Sequence, residues 1–296
     1  MRDHHDLGVF LQTRRARISP ESVGLPVGTR RRVPGLRREE LARLAGISVE
    51  YYQRLEQGRA ARPSDEVLDA VARVLGLTGV ERDHLRTLVR RPRPKRTAAD
   101  EPERARPERA GPERARPELA RMLALLAAPA MVINDRFDVL AFNPVARMLF
   151  VGALEGGNLA RFLFLEPAGR AFYVDWDEVA ASTAGQLRVA AARRPGDPSM
   201  ARLVGELSAG SPEFARLWAA GDVDLRTHGA KNLRHPALGV LTFTYENLQP
   251  SGEHRQRLVV LTPVPDGPTE AALQLLASWA DSDRDAARAG RSLQER

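Results

Sequence analysis

Apolar residues recur at helical spacing through the first third of the chain, and they mark five short helices. Leu7, Phe10, Leu11 and Ile18 predict the first. Leu36, Leu41, Leu44 and Ala45 predict the second, which Gly46 ends because glycine accepts the left-handed turn a helix C-terminus uses. Ile47 plugs the corner, and Ser48 stands where an N-cap belongs. In the third helix Tyr52 and Leu55 share an inward face, which leaves Val49, Glu50, Tyr51, Gln53 and Arg54 pointing outward. Pro63, Ser64, Asp65 and Glu66 open a fourth helix with the stripe Val67, Leu68, Val71, Val74 and Leu75. Val80, Leu85, Leu88 and Val89 mark a fifth. Residues 19–35, with Pro20, Gly24, Pro26, Gly28, Pro34 and Gly35, form a loop between the first two.

The pattern then breaks. Residues 92–118 repeat a five-residue unit, PERAR or PERAG, with Pro at 102, 107, 112 and 117. Proline this dense cannot hold a continuous helix, and the stretch has almost nothing apolar to bury, so it reads as a linker. Beyond it an apolar helix is ended by Pro129. A hairpin follows, with strands at 131–133 and 137–142 around a turn at 134–136, and Asn143–Pro144 caps a helix to Phe150. Residues 159–220 are mainly helical. Strands return at 231–235, 240–247 and 257–263, and a helix over 269–280 closes the domain. These elements divide the chain into residues 1–91, a linker over 92–118, a domain over 119–281 and a polar, frayed tail over 282–296. The fold class is multidomain, with an all-α domain followed by an α+β domain on an antiparallel sheet.

Two helices joined by a short glycine-bearing turn over residues 36–58 form a helix-turn-helix. The segment LRREELARLAGISVEYYQRLEQG resembles the helix-turn-helix of the Cro/C1 (XRE-type) repressor family. That resemblance implies that the second helix enters the major groove of double-stranded DNA. Ser48, Val49, Glu50, Tyr51, Gln53 and Arg54 then lie on the reading helix. Arg37 and Arg38 fall where the family touches phosphate, and Arg59 and Arg62 just beyond the reading helix are further backbone contacts. The family often caps its first helix with Ser or Thr; this chain has Arg37, so that cap bond is missing or comes from another group. The half-site geometry of the motif implies a homodimer on a two-fold related site. Charge agrees. Residues 1–96 carry 21 Lys+Arg against 12 Asp+Glu, a net +9, so the rest of the chain carries −2 of the total of +7. A positive field confined to the helix-turn-helix segment is the footprint of phosphate binding. The run Arg30, Arg31 and Arg32 reads either as a phosphate clamp or as a solvated loop.

In the second domain the phrases NLARFLFLEP, YVDWDEVA, GELSAGSPEFARLWAAGDV and KNLRHPALGVLTFTYE resemble the MmyB-like ligand-binding domain. The resemblance implies a PAS-like fold with an apolar pocket for a fatty-acid-like molecule. Phe162, Phe164, Phe172, Tyr173, Trp176, Phe214, Leu217 and Trp218 cluster in the helical middle and are candidates to line it, or else simple core. Arg234, His235, Tyr245 and Arg161 are candidates to meet a carboxylate. Asp175, Asp177 and Glu178 are explained by a helix N-terminus.

No cysteine is present, so disulfides and thiolate metal sites are excluded. No HExxH, GxSxG, Walker A or strand-to-helix GxGxxG occurs, and the seven-residue spacing of His228 and His235 does not suit a metal. No enzyme, metal or cofactor is expected. No apolar run reaches a membrane span and the first residues lack a signal-peptide core, so a cytoplasmic protein is expected. Two functions remain in view. One is a DNA-binding regulator that senses a small apolar ligand. In the other, the C-terminal domain is a dimerisation or partner-protein module without a ligand. RNA binding is disfavoured because the deep major groove of RNA is closed to a helix.

Overall fold

The computed structural model describes residues 3–26, 35–60, 63–89, 113–250, 255–265 and 267–294. The run Arg30 to Arg32, Arg62 and most of the repeat linker lie outside them. The chain divides into two compact units. One holds residues 1–107 with 188–198 and 216–225; the other holds 108–187, 199–215 and 226–296.

The first unit contains the five expected helices: α1 (Asp3–Arg17), α2 (Arg38–Leu44), α3 (Val49–Glu56), α4 (Asp65–Val74) and α5 (Gly79–Val89). Their inward stripes meet in one core of Leu7, Phe10, Leu11, Leu41, Ala42, Tyr52, Leu55, Leu68, Val71, Ala72, Leu75, Leu77 and Leu85. Gly46 takes φ 68° after α2. The Ile47 N–H then reaches the Ala42 carbonyl at 3.0 Å and the Gly46 N–H the Arg43 carbonyl at 3.2 Å, a Schellman closure. The Ser48 hydroxyl accepts the Tyr51 N–H at 3.1 Å and starts α3 at once. The cap of α2 comes from the reverse partner: the Arg37 backbone N–H donates to the Glu40 carboxylate at 2.7 Å. A guanidinium has no acceptor, so only this half of a capping box can form.

One ionic cluster ties three of these helices together. The Glu56 side chain has 0% exposure and pairs with Arg15 at 2.9 Å. It pairs with Arg38 as well. Arg15 also donates to the Leu36 carbonyl at 2.7 Å. α1 can come this close to the end of α3 because Gly8 has no side chain; a Cβ there would meet the Glu56 carbonyl oxygen at 2.6 Å.

The second unit is α+β. α6 (Pro117–Leu125) leads into β1 (Ala130–Asn134) and β2 (Val139–Phe142), then α7 (Pro144–Phe150). The helical middle is α8 (Leu159–Leu165), α9 (Pro167–Phe172), α10 (Trp176–Arg193), α11 (Pro198–Gly210) and α12 (Pro212–Ala220), of which residues 188–193 of α10 and 216–220 of α12 are counted with the first unit. β3 (His228–His235), β4 (Gly239–Leu248) and β5 (Gln256–Pro263) precede α13 (Pro268–Gln294). The five strands form one sheet in the order β2-β1-β5-β4-β3, with every pair antiparallel. Strand alternation sends side chains to two faces. Ala130 and Val132 of β1 and Leu258 and Val260 of β5 pack with Leu119 and Leu123 of α6. Met131, Ile133, Val259 and Leu261 point the other way.

Several boundaries differ from the sequence reading: β3 starts at His228, three residues before the expected 231. β2 starts at Val139, two residues late, because the Asn134 side chain accepts the N–H groups of Arg136 at 2.9 Å and Asp138 at 3.0 Å and lengthens the turn. Phe137 sits in that turn at φ 63°. The last PERAR unit is docked on the sheet: the Gln256 side chain donates to Glu113 at 3.2 Å and to the Arg114 carbonyl at 2.9 Å, and accepts the Arg116 N–H at 3.0 Å. Finally, α13 continues through the expected tail to Gln294, and Asp283 pairs with Arg147 of α7.

Glu56→Gln keeps the shape but leaves Arg15 and Arg38 without a countercharge. Urea unfolding of the N-terminal unit in the full chain should show a loss of about 3 kcal/mol. His84, buried and edge-on to Phe10 at 5.1 Å, has its pKa pushed from 6.5 down to about 3, mainly by burial. The unfolded chain therefore takes up a proton below about 6.5 that the folded one refuses. The N-terminal unit should lose stability as pH falls from there towards 3, and His84→Phe should flatten that part of the melting-temperature profile.

Candidate functional site

Each unit carries one candidate site. In the first, α3 shows an outward face. Val49 is 38% exposed, Glu50, Gln53 and Arg54 are exposed, and Tyr51 is half-buried. Tyr52, Leu55 and Glu56 of the same helix are buried. The Arg54 guanidinium lies 6.0 Å from the Tyr51 ring centroid, so these two share the outer surface. Ser48 is exposed at the N-terminus of α3, where backbone N–H groups can also meet phosphate. Arg59 is exposed just past the helix, whose closure repeats that of α2: the Arg59 N–H reaches the Arg54 carbonyl at 2.7 Å. Arg37 is exposed and lies 3.4 Å from Glu39. The Arg38 side chain is 45% exposed, and its guanidinium also pairs with Glu56.

In the second unit a cavity lies under the inner face of the sheet, with an empty volume of about 800 Å³ including its open mouth. Its floor is Met131 and Ile133 of β1, Val259 and Leu261 of β5, and Tyr245 and Asn247 of β4. Its roof is one face of α10: Glu178, Val179, Ser182, Thr183 and Gln186 follow helical spacing. Phe137, Phe150, Leu159 and Tyr173 close the sides. This mixture of apolar and polar lining suits a small amphiphile.

The pocket is charged as well as apolar. Lys231, Arg226 and Arg257 line it, with Asp175 and Glu178. Glu178 pairs with Arg226. Asp175 accepts from the Asn232 side chain at 2.6 Å. The Arg257 guanidinium lies 4.7 Å from the Phe137 ring centroid. The Lys231 ammonium faces the rings of Tyr245 at 4.9 Å and Tyr173 at 5.8 Å. Burial pushes the Lys231 pKa from 10.5 down to about 8, and the fields of Arg257 and Arg226 add to the shift.

Of the expected ligand residues, Tyr173 and Tyr245 line this cavity. The other aromatics pack against each other. Phe164 meets Phe214 at 4.9 Å and Trp176 at 5.9 Å, and the Trp176 ring N–H donates to the Leu163 carbonyl at 3.0 Å. Phe172 meets Phe150 at 5.4 Å and Phe162 at 5.9 Å. These two clusters stand behind the pocket wall as core. Leu217 and Trp218 on α12 are half-buried, with Arg188 stacked 4.4 Å over Trp218. Arg234 is exposed on β3. Arg161 is paired with Glu206 at 2.9 Å. His235 takes the Ala237 and Leu238 N–H groups at 3.2 Å and so shapes the β3–β4 turn. The cationic lining from Lys231, Arg226 and Arg257 was not anticipated. Strand phase alone puts Arg257 on the face of Val259 and Leu261, and that signal was available.

An outward-facing helix on a compact helical unit and a roofed pocket beneath an antiparallel sheet fit a DNA-binding transcription regulator with a ligand-binding domain, the class that two family models show. The MmyB-like transcription regulator ligand binding domain model matches residues 115–276, and a helix-turn-helix domain model matches residues 6–85. The chain belongs to the family of regulators with the MmyB-like ligand-binding domain. No curated protein matches it. The first match begins inside the last PERAR unit, in keeping with the docking of that unit on the sheet. Among the described residues no helix is long and apolar enough to cross a membrane.

Glu50→Ala with Gln53→Ala should abolish discrimination between cognate and scrambled DNA, each lost base contact being worth about 1–3 kcal/mol. Arg59→Ala should weaken binding to all sequences alike. It should also lower the slope of log affinity against log salt by about one, measured by fluorescence anisotropy.

Proposed function

We propose that the chain is a one-component, XRE-type regulator of the cytoplasm. It acts as a homodimer on a two-fold related operator, and a fatty-acid-like ligand bound in its PAS-like domain sets its DNA affinity. The chain carries out no reaction on that ligand; its work is recognition at both ends. The observation that carries the ligand reading is the cavity beneath the sheet, with Met131, Ile133, Val259 and Leu261 on its floor and the cations Lys231, Arg226 and Arg257 in its lining. A domain serving only as an interaction module would have filled this space with side chains, as close-packed interiors do. The ligand can switch DNA binding only if it favours one arrangement of the dimer over another.

The alternative, a dimerisation or partner module without a small ligand, draws on α6, where Leu125 is 86% and Met122 47% exposed. One experiment separates the two. Operator affinity of the full-length protein is measured with and without saturating medium- and long-chain fatty acids. Sensing predicts a change of roughly fivefold or more. Unchanged affinity at full occupancy rejects the switch, and the absence of any bound lipid by native mass spectrometry favours the interaction module.

A further inference from the structure

The position of Lys231 is hard to explain by stability alone. Its ammonium is held inside the pocket against two aromatic rings, at 4.9 Å from Tyr245 and 5.8 Å from Tyr173. Among the described residues no carboxylate pairs with it. The charged groups around the cavity are known. Arg226 precedes β3, Arg257 stands on β5, and Asp175 and Glu178 come from the start of α10. Both carboxylates are already engaged, Glu178 by Arg226 and Asp175 by the Asn232 amide. A desolvated cation of this kind costs stability in the empty domain. Two rings recover part of that cost through cation–π contact but supply no countercharge.

The two phenol rings also fix where the ammonium points. Lys231 and Phe243 are directly opposed across β3 and β4, and Tyr245 is opposed to Gly229. Opposed residues share a face, so Lys231 rises from the same inner face as Tyr245. Gly229 leaves the space that the Tyr245 ring fills, since a Cβ there would lie 3.1 Å from that ring. The ammonium is thus held at the polar end of a pocket whose floor is apolar.

We propose that Lys231 is the anchor for an ionised head group, so that the ligand is an amphiphile with a carboxylate against the Lys231 ammonium and an alkyl tail over Met131, Ile133, Val259 and Leu261. This rests on the small-ligand reading above and narrows it: neutral lipids of the same length are discriminated against at this one residue. The carboxylate supplies the missing countercharge, and it draws the Lys231 proton more tightly. Between about pH 6 and pH 8 the ammonium is charged whether or not the pocket is filled and the ligand carboxylate is ionised, so binding is nearly independent of pH. Above pH 8 the empty pocket has released the proton, so binding must take one up and affinity falls.

The test uses the full-length protein with sodium decanoate and 1-decanol as probes, followed by calorimetry. The wild type should bind decanoate roughly tenfold to a hundredfold more tightly than decanol at pH 7, as a charge-assisted contact in a desolvated site provides. That preference should decline from pH 8 to pH 10. Lys231→Met should bind decanol with the wild-type affinity, which shows that the variant is folded, and decanoate no more tightly than decanol. Lys231→Arg should keep the preference and hold it flat to pH 10, because a guanidinium does not titrate there. Equal binding of acid and alcohol by the wild type overturns the anchor but leaves an apolar-ligand sensor. A preference that survives in Lys231→Met assigns the head group to Arg226 or Arg257 and also overturns it. If neither probe binds, the fatty-acid reading fails and the proposal fails with it.

Discussion

The standing of α3, the second helix of the helix-turn-helix, depends on a carboxylate that has no contact with solvent. Glu56 closes α3 with its side chain turned inward, and Arg15 of α1 and Arg38 of α2 converge on it. Three helices are therefore referenced to one charge. Because Arg15 also holds the Leu36 carbonyl, the chain entering α2 is fixed to the same point. Such a cluster adds little net stability over an apolar replacement, yet removal of any member leaves a buried charge uncompensated. Its effect is orientation: α3 cannot roll about its axis without breaking an ion pair. Val49, Glu50 and Gln53 are held outward by the same constraint that holds Tyr52 and Leu55 inward.

The sheet of the second unit applies another constraint, that of period two. β1 and β5 are adjacent and buried on both faces, so each strand sends alternate residues to α6 and to the pocket. A shift of one residue would bring Arg257 under α6 and Val260 to the ligand side. The register Ile133 opposite Arg257 and Met131 opposite Val259 therefore sets the chemistry of the cavity as well as its shape. The docked PERAR unit, held by Gln256 at the start of β5, reinforces that register at the edge where the linker enters.

Much of the helix-turn-helix geometry was legible in the order of residues. The Gly46 turn, the Ser48 cap and the split of α3 into inward and outward faces are local matters, decided by backbone freedom, one side-chain hydrogen bond and helical spacing. All three stand in the structure where the sequence put them. The pairing of Arg38 with Glu56 was not legible, because an exposed arginine on a first turn gives no sign that a buried glutamate eighteen residues later will meet it. The ligand site was less legible. Aromatic residues were a fair guide to where the helical middle packs, but Phe164, Phe214 and Trp176 satisfy one another and leave no room for a guest.

The sequence by itself determined the elements, their order and the presence of two domains of different class, because propensity, capping and hydrophobic period act over only a few residues. It also carried the phase of each strand. The tertiary structure decided which charges neutralise each other and which are left facing a cavity. Arg161, Arg226 and Lys231 all look like solvated cations on paper; only the fold gives the first two their carboxylates and places the third between two phenol rings. The reason is that an ion pair or a pocket wall joins residues tens of positions apart, and their distance is set by the packing of whole elements.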